Sequence, residues 1–337
     1  MKVDAEEVRA LGERILHAHG VNPTSARLQI DLLVEAQMRG FASHGLLRLR
    51  RIVERIEAGV TSPNATGRHD WSGASHLIVD GERGLGPVVA ISALDAVQAR
   101  ARENGIAIAV IRNSNHIGML AWYGEQIAAK GLVLIGATTS EALVHPWGGR
   151  RAMLGTNPLC IAVPADPAPL VLDMATSLVS MGKIHDYANR GAAIPQGWAL
   201  DAAGNPTTDA VAAKAGAIAP FGGAKGYALG LALEVLVTSL TGAAIGTDVV
   251  GTLDSGRVCN KGDIFIVVAP RQGAGVASLV SAYLDDIRGT DPSDPALPVT
   301  VPGDRARRAR EHSLADGVEI DDELWRELCV LGSSRNF

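Results

Sequence analysis

The pattern of apolar and polar positions predicts that the chain begins with helices. Apolar residues recur every three or four positions over 4–19 and again over 24–38, which is the spacing of amphipathic helices. Gly20 ends the first helix, and Thr24 is a candidate cap for the second.

A third helix is expected from about His44. Its apolar side chains would form one buried stripe, made of Leu46, Leu49, Val53 and Ile56. Its charged side chains would mostly face water, and these are Arg50, Arg51, Glu54, Arg55 and Glu57.

From Trp71 onward, short β-branched runs alternate with helical stretches, which indicates a mixed α/β fold. The expected strands cover residues 77–79, 106–111, 132–137, 161–163, 170–172 and 264–269. The run 226–240 is apolar on nearly every side, which predicts a buried helix. Within it, Gly226 and Gly230 would let another element approach closely.

Composition narrows the function classes. A chain of 337 residues, 47% hydrophobic, is long enough for two or three domains with a substantial core. Its net charge of -5 has the wrong sign for a nucleic-acid surface. Three widely spaced cysteines and an acidic start without an apolar signal fit a cytoplasmic protein, and no segment is long enough to span a membrane.

Several known signatures are missing or imperfect. The chain has no phosphate-loop, nucleophile-elbow or HExxH motif, and His17 and His19 diverge on a helix, so we expect no metal. Residues 270–278 imitate a dinucleotide fingerprint after a strand, but Ser278 stands where the third glycine belongs. A tight turn is therefore the preferred interpretation of that segment.

Two polar clusters carry candidate chemistry. His116 follows the run 106–111, where a strand ends, and Ser43 and His44 precede Arg48. On a helix, His44 and Arg48 would share one face, with Ser43 at the cap. An imidazole exchanges protons near neutral pH, and a guanidinium can donate two parallel hydrogen bonds to a carboxylate. The structural alternatives are a histidine that caps the strand end and an arginine on a solvated basic face.

Other residues suggest a nucleotide site. The segment 172–177 ends a buried strand and is expected to open a helix, so that its amides or Asp173 could contact phosphate or ribose. Capping of that helix is the alternative. Lys225 lies among glycines, which leave room for a ligand. Thr156 and Asn157, which precede Pro158, are first interpreted as turn residues.

These residues and their neighbours resemble the malate/L-lactate dehydrogenase family, which includes sulfolactate, ureidoglycolate and diketogulonate dehydrogenases and piperideine-2-carboxylate reductases. The motifs occur in the family's order and span nearly the whole chain, as 43–48, 113–118, 155–158, 172–177, 198–201, 206–209 and 222–227. The resemblance implies a mixed α/β fold of the sulfolactate dehydrogenase type, not of the Rossmann type. It also implies NAD or NADP as the cofactor and a homodimer or a multiple of it.

The resemblance also implies roles for individual residues. His116 would be the acid/base residue, and His44 and Arg48, with Ser43, would contact the substrate. The nucleotide would be contacted by Ser140, Thr156, Asn157, Asp173, Met174, Ala175, Lys225, Gly303 and Asp304. The family usually has Pro-Gly-Glu where this chain has Pro302-Gly303-Asp304, one methylene shorter, so a ribose contact by Asp304 is the least secure of these roles.

We divide the chain accordingly. A helical substrate domain covers 1–70, with 299–337 packing back on it, a dimerisation core covers 71–121 and 231–298, and a nicotinamide-nucleotide-binding region covers 122–230.

The sequence predicts an NAD(P)-dependent oxidoreductase for a small 2-hydroxy/2-oxo acid of the malate, lactate, sulfolactate or ureidoglycolate type. Two alternatives stay open, an NADPH-dependent reductase of a cyclic imine carboxylate and a non-catalytic nucleotide-binding protein. The choice of acid and cofactor, the reaction direction and any pocket role of His185 and Asp186 also stay open.

Overall fold

The computed structural model describes residues 1–270 and 275–333. The helices are α1 Ala5–Ala18, α2 Pro23–Met38, α3 Leu47–Glu57, α4 Gly86–Asn104, α5 Ala121–Ala128, α6 Met181–Asn189, α7 Ala210–Ala213, α8 Ala224–Thr241, α9 Gly275–Arg288, α10 Asp304–Asp316 and α11 Asp322–Ser333. The strands are β1 Lys2–Val3, β2 Arg68–Trp71, β3 His76–Asp80, β4 Ile106–Arg112, β5 Val133–Thr138, β6 Leu159–Val163, β7 Leu170–Met174, β8 Ala199–Leu200, β9 Pro206–Thr207, β10 Ala217–Ile218, β11 Asp263–Val268 and β12 Val318–Glu319.

The first two helices form where their periodicity predicts, with different caps. Asp4 caps α1 by accepting hydrogen bonds from the amides of Glu6 and Glu7. Asn22 caps α2 by accepting from the amide of Ser25. The choice of Thr24 as the cap was wrong, because Pro23 already occupies the first helical turn and needs no donor there.

The third helix begins later than expected. A short 3₁₀ turn, Ala42–His44, comes first, and α3 starts only at Leu47. Its apolar stripe is confirmed, since Leu49 and Val53 are buried in the core shared with α1 and α2. The expectation for Arg55 was wrong, because its side chain is buried inside the protein.

A seven-stranded mixed sheet forms the centre of the fold, in the order β2-β3-β4-β11-β5-β6-β7. Strands β3 and β4 run parallel, and every other neighbouring pair is antiparallel. The expected strands are confirmed within one or two residues at each end, because each is a β-branched run bounded by turn residues. This is not the parallel, doubly wound sheet of a Rossmann domain.

Helices cover both faces of the sheet. On one face α4 and α5 bury apolar side chains such as Val97 and Tyr123 against Phe265 of β11. On the other face α8 packs Val237 against Val110 and its neighbours. Alternate residues of β4 therefore belong to different cores, as the two-residue period of a strand requires.

The carboxy-terminal segment returns to the first helices. Strand β12 pairs antiparallel with β1, α11 packs on α1, and α10 packs on α2. A buried carboxylate joins α10 to α2, since Glu35 of α2 accepts hydrogen bonds from Arg310 of α10 and from Arg39. Residues 334–337 lie outside the described part of the chain.

Helix α8 is buried on one side only. Its inward face includes Gly230, Glu234 and Val237, whereas Val235 and Leu236 are exposed. The prediction of a helix is confirmed, but the prediction that this helix is buried on nearly every side is wrong. Gly230 does allow close approach, because a Cβ there would lie 2.7 Å from Thr176 Oγ1. Within residues 1–270 and 275–333, no helix is both long and apolar enough to cross a membrane.

Candidate active site

Two distant segments of the chain meet in one site. The ring centroids of His44 and His116 are 5.5 Å apart. Ser43 Oγ lies 3.1 Å from Nδ1 of His44, and Nε of Arg48 donates to the carbonyl of Ser43 at 2.8 Å. The prediction that His44 and Arg48 share one face of a helix was wrong, because Ser43 and His44 lie in a 3₁₀ turn before α3. Arg48 reaches the site by folding back over that turn.

Asn115 anchors the loop that carries His116. Its Oδ1 accepts hydrogen bonds from Arg55 Nε, Arg55 Nη2 and Thr61 Oγ1. Its Nδ2 donates to the carbonyls of residues 83 and 84. This one buried amide therefore ties α3, the residue-61 turn and the residue-83 turn to the end of β4.

Gly118 fixes the tautomer of His116. Its amide donates to Nδ1 of the imidazole at 3.1 Å, so the neutral ring carries its proton on Nε2. Gly118 has φ +70°, and a Cβ there would lie 2.3 Å from Leu32 Cδ2. Glycine is therefore required for this contact.

The surroundings disfavour the charged form of both imidazoles. Burial, reinforced by the charge of Arg48, lowers the pKa of His44 to about 4. Burial and then Arg48 lower the pKa of His116 well below its ordinary value, with a smaller effect from Lys261. Burial, followed by the neighbouring Arg51, lowers the pKa of Arg48 to about 10. A bound anion would offset these charges and raise the pKa of both histidines.

A cavity of about 30 Å³ adjoins these groups. It is lined by residues that include Arg48, Arg51, Arg55, His116 and Thr252. This volume is enough to hold a water. Sequence reasoning missed Arg51 and Arg55, although their spacing from Arg48 on α3 is a signal that could have found them.

The loop at residues 251–254 closes one side of the site. Its Thr252 carbonyl accepts a hydrogen bond from Arg48 at 3.2 Å. Glu141 holds the loop, because its Oε1 accepts from the amides of Thr252 and Leu253 and from the Thr252 hydroxyl. Glu141 was not predicted, since nothing near it in sequence points to residue 252.

A second group of predicted residues lies at the ends of β5, β6 and β7. Ser140 Oγ accepts from the Thr156 amide at 2.9 Å and lies 3.2 Å from the Thr156 hydroxyl. The carbonyl of Thr156 in turn accepts from the amide and hydroxyl of Thr176. The structure thus brings Ser140 and Thr156 together beside the residues that follow β7.

Asn157 is completely buried next to this group. Its Nδ2 donates to Glu234 Oε2 at 2.6 Å and to the Gly230 carbonyl of α8. Its Oδ1 has no hydrogen-bond partner among the described residues, and the same holds for the buried Ser177 hydroxyl. Glu234, which sequence reasoning passed over, also accepts from the amides of residues 155 and 246.

Asp173 caps a helix, but not the one expected. The residues after β7 do not open a helix directly, because α6 begins only at Met181. Asp173 Oδ2 instead accepts from the amide of Ala121 at 2.7 Å, at the start of α5. Burial raises the pKa of Asp173 to about 6, and the backbone hydrogen bonds only partly oppose this. Met174 and Ala175 follow it at the strand end.

The remaining nucleotide candidates differ in environment. Lys225 is exposed in the first turn of α8. Gly303 lies beside β7, since a Cβ there would be 3.4 Å from the Val171 carbonyl. The carboxylate of Asp304 is paired with Arg288 and Arg307, so a ligand would compete with two guanidiniums for it.

Helix α6 borders the site through Gly182, where a Cβ would lie 3.0 Å from Cβ of Ser43. On the same helix His185 is exposed, and Asp186 is exposed and paired with Arg190. Part of the fingerprint-like segment, residues 271–274, lies outside the described residues. Within the described ranges, no group of three or more His, Cys, Asp or Glu side chains could hold a metal ion.

Fold and site together define a mixed α/β protein in which two histidines and an arginine lie together beside a cavity. The sequence model described as malate/L-lactate dehydrogenase matches residues 3–329. The chain therefore belongs to the malate/L-lactate dehydrogenase family.

Known proteins resemble the chain over nearly its whole length. It is 34% identical to malate/(S)-sulfolactate dehydrogenase of Methanothermus fervidus, covering 100% of this chain and 98% of the relative. It is 33% identical to a Δ1-pyrroline-2-carboxylate/Δ1-piperideine-2-carboxylate reductase of Pseudomonas aeruginosa, covering 98% and 99%. The crystal structure of a dehydrogenase from Sinorhizobium meliloti superposes with a TM-score of 0.95 at 50% identity, covering 99% and 98%.

Proposed function

We propose that the protein is an NAD(P)-dependent oxidoreductase that transfers hydride between the nicotinamide and a small 2-hydroxy/2-oxo carboxylic acid. The observation that carries this proposal is that His116 and Arg48 line one cavity, while the ring of His44 lies 5.5 Å from that of His116. Relatives named as malate and sulfolactate dehydrogenases support it. A non-catalytic nucleotide-binding protein would not need two buried imidazoles beside an anion-binding guanidinium.

Arg48 binds the carboxylate of the substrate. A guanidinium forms two parallel hydrogen bonds to a carboxylate and so fixes its direction. The two acceptors that Arg48 already has, the carbonyls of Ser43 and Thr252, hold the side chain in place without neutralising it. Substrate binding therefore supplies the missing negative charge.

His116 moves the proton. Because Gly118 holds Nδ1, the neutral ring can donate from Nε2 to a carbonyl or imine acceptor. As the substrate carboxylate offsets Arg48, the pKa of His116 rises, and Nδ1 takes a second proton from water. Nε2 of the imidazolium then gives its proton to the substrate oxygen, and the ring returns to the Nε2-protonated form by proton exchange with water. The Gly118 hydrogen bond loosens while Nδ1 holds a proton. His44, next to it, orients the same oxygen.

The polar groups near β6 and β7 suit a nicotinamide nucleotide. The unpartnered Asn157 Oδ1 and Ser177 hydroxyl are buried polar atoms that a polar ligand can satisfy. We assign cofactor contacts to Ser140, Thr156, Asn157, Asp173, Met174, Ala175, Lys225, Gly303 and Asp304. When bound, the nicotinamide ring gives or accepts the hydride.

The assembly and location are part of the proposal. An apolar stripe on α8 is exposed, and it includes Leu231, Val235, Leu236 and Leu240. Exposed patches of this kind mark protein interfaces, so we propose a homodimer through α8, acting in the cytoplasm.

Reduction of a cyclic imine carboxylate is the second candidate, because one relative is named for it and the anion-binding group would be the same. The test follows the absorbance of reduced cofactor with NADH and NADPH against 2-oxo acids and cyclic imine carboxylates. Turnover of a 2-oxo acid supports the proposal. Turnover of imines alone favours the second candidate, and turnover of neither class contradicts both.

A further inference from the structure

A buried carboxylate of α8 accepts hydrogen bonds from two loops. Glu234 is only 1% exposed. Its Oε2 accepts from Nδ2 of Asn157 at 2.6 Å and from the amide of Gly155 at 3.3 Å. Its Oε1 accepts from the amide of Gly246 at 2.6 Å. Because all three partners are N–H donors, the position suits a group that only accepts, and an ionised carboxylate is such a group.

The side-chain amide of Asn157 has one orientation in this arrangement. Its nitrogen, Nδ2, donates both to Glu234 and to the Gly230 carbonyl, the latter at 3.2 Å. These two acceptors decide which end of the amide is nitrogen and which is oxygen. The oxygen, Oδ1, has no partner within residues 1–270 and 275–333, although the side chain is completely buried. Since buried acceptors are normally satisfied, Oδ1 is available to an N–H or O–H donor of a ligand.

The backbone of Asn157 has an unfavourable conformation. Its φ is +33°, in the left-handed region that residues other than glycine rarely adopt. The loop is also closely packed, because a Cβ on Gly155 would collide with Oδ1 of Asn157 and with the carbonyl of Ser140. Such strain persists only where the surroundings enforce it. The two hydrogen bonds from Nδ2 are a direct means of enforcing it.

The same part of α8 packs against further residues that we assign to the cofactor. A Cβ on Gly230, one turn before Glu234, would lie 2.7 Å from Oγ1 of Thr176. The Thr176 hydroxyl donates to the carbonyl of Thr156. The Thr156 amide in turn donates to Oγ of Ser140. Helix α8 therefore supports both the loop before β6 and the residues that follow β7.

We propose that Glu234 is a positioning residue for the cofactor. By holding Nδ2 of Asn157, it leaves Oδ1 free to accept a hydrogen bond from the bound nicotinamide nucleotide, which carries amide and hydroxyl donors. Glu234 acts through Asn157 and not by contact with the nucleotide. This inference rests on the proposed function and assigns part of its cofactor affinity to a carboxylate of α8.

The test is a rescue experiment on the hydrogen bond between Glu234 and Asn157. In Glu234→Gln the new NH2 group faces N–H donors, so that Kd for NADH or NADPH should rise about tenfold or more. In the double variant Glu234→Gln/Asn157→Asp, the glutamine NH2 can donate to the aspartate, whose other oxygen stays an acceptor. The double variant should therefore bind the nucleotide at least about threefold more tightly than Glu234→Gln. Asn157→Asp alone should bind no more tightly than the wild type.

The readout is the fluorescence of the bound reduced nucleotide, measured without substrate. In turnover with a 2-oxo acid, Glu234→Gln should raise KM for the nucleotide while kcat at saturating nucleotide stays within about threefold of the wild type, because the role lies in binding. If Glu234→Gln does not fold, Glu234→Asp provides a milder variant. It keeps the carboxylate, shorter by one methylene, and should weaken nucleotide binding in the same direction.

Thr241→Val is the matched control, at the other end of the same helix. Thr241 is buried, and its hydroxyl donates to the Val237 carbonyl at 2.7 Å and accepts from the Ala243 amide at 3.2 Å. The valine variant therefore also loses buried hydrogen bonds of α8. Its Tm should fall, while its Kd for the nucleotide should stay within about twofold of the wild type.

Four results would overturn the inference. The first is a Kd for Glu234→Gln within about twofold of the wild type. The second is a double variant that binds no more tightly than Glu234→Gln. The third is tighter binding than the wild type by Asn157→Asp alone, and the fourth is an equal loss of nucleotide affinity in Thr241→Val.

Nucleotide binding and turnover together separate this inference from the proposed function. If the rescue occurs but neither 2-oxo acids nor cyclic imines are reduced, the inference about Glu234 stands and the proposed function fails. If 2-oxo acids are reduced and the rescue does not occur, the function stands and the inference fails. If the wild-type protein binds neither NADH nor NADPH, both fail.

Discussion

Replacing Asn115 with alanine tests how the site is held together. The side chain makes hydrogen bonds with Arg55, Thr61 and the carbonyls of residues 83–84, and Asn115, Arg55 and Thr61 are all buried. Without it, the buried guanidinium keeps one acceptor, the Asp254 carbonyl. The alanine variant therefore removes an acceptor from Arg55 and from the Thr61 hydroxyl, whereas the carbonyls of residues 83 and 84 keep the backbone amides of Ser62 and Asn115.

The cost follows from the acceptors that Arg55 and Thr61 lose. An unsatisfied buried polar group costs about 1–3 kcal/mol, and a charged one costs more. Because water can enter the space left by the amide, we expect a loss of about 4 kcal/mol in the free energy of unfolding. An unfolding entropy of about 2 cal/mol/K per residue, over 337 residues, converts this loss to a decrease of about 6 °C in Tm.

The assay is thermal unfolding by calorimetry, with Asn113→Gly as the matched control. Asn113 lies in the same loop, makes one side-chain hydrogen bond, to Asp80, and has φ +53°, which glycine adopts freely. Its variant should melt within about 2 °C of the wild type. If Asn115→Ala melts as close to the wild type as Asn113→Gly does, the account of the anchored loop is wrong.

Three further substitutions test other contacts. Because burial raises its pKa to about 6, Asp173 favours the fold when protonated and loses that contribution as pH rises. The wild-type stability minus that of Asp173→Asn, from unfolding at several pH values, should fall by about 2–3 kcal/mol between pH 4 and 7, and a rising difference would refute this. Arg48→Lys should raise KM for the 2-oxo acid about tenfold or more, because lysine cannot fork onto a carboxylate, and an unchanged KM would exclude Arg48 from binding. Gly118→Ala should lower both Tm and kcat, whereas Gly20→Ala, strained but without a close neighbour, should lower Tm alone; equal kcat in the two would argue against the Gly118 contact.

Local pattern was enough to predict α1, α2, α8 and six of the seven strands of the central sheet, but not β2. The strands follow from β-branched runs, as in 106–111, and α1 and α2 follow from their apolar spacing. Where a start was misplaced, as at α3, the 3₁₀ turn Ala42–His44 comes first and ends at Gly45, whose backbone is not helical. The partial exposure of α8 could not be predicted, because the sequence of an apolar helix is the same whether its outer face is covered by its own chain or by another.

The candidate site residues could be named from the sequence, but the residues that hold them in position could not. His116, His44 and Arg48 stand out as chemical groups, yet no spacing shows that they meet. Their supporting residues make contacts with partners distant in sequence, as Glu141 does with residue 252 and Asp173 with α5. Such contacts leave no local signal, because an acid near a turn is usually solvated.

Buried basic residues were the other omission. Lys261 is 2% exposed and pairs with the fully buried Asp263. Arg55 was expected on a solvated face because charged residues are mostly exposed. Only the alignment of Arg48, Arg51 and Arg55 along one side of α3 distinguishes them, and it acquires meaning once the cavity is seen.

In the proposed function, His116 transfers the proton that accompanies hydride transfer. The most direct test is the rate of cofactor oxidation in a single turnover by His116→Gln, with cofactor and 2-oxo acid both saturating. Glutamine keeps a hydrogen-bond donor but cannot exchange a proton, so the rate should fall by about 100-fold or more while both ligands still bind. A rate within about threefold of the wild type would contradict the account.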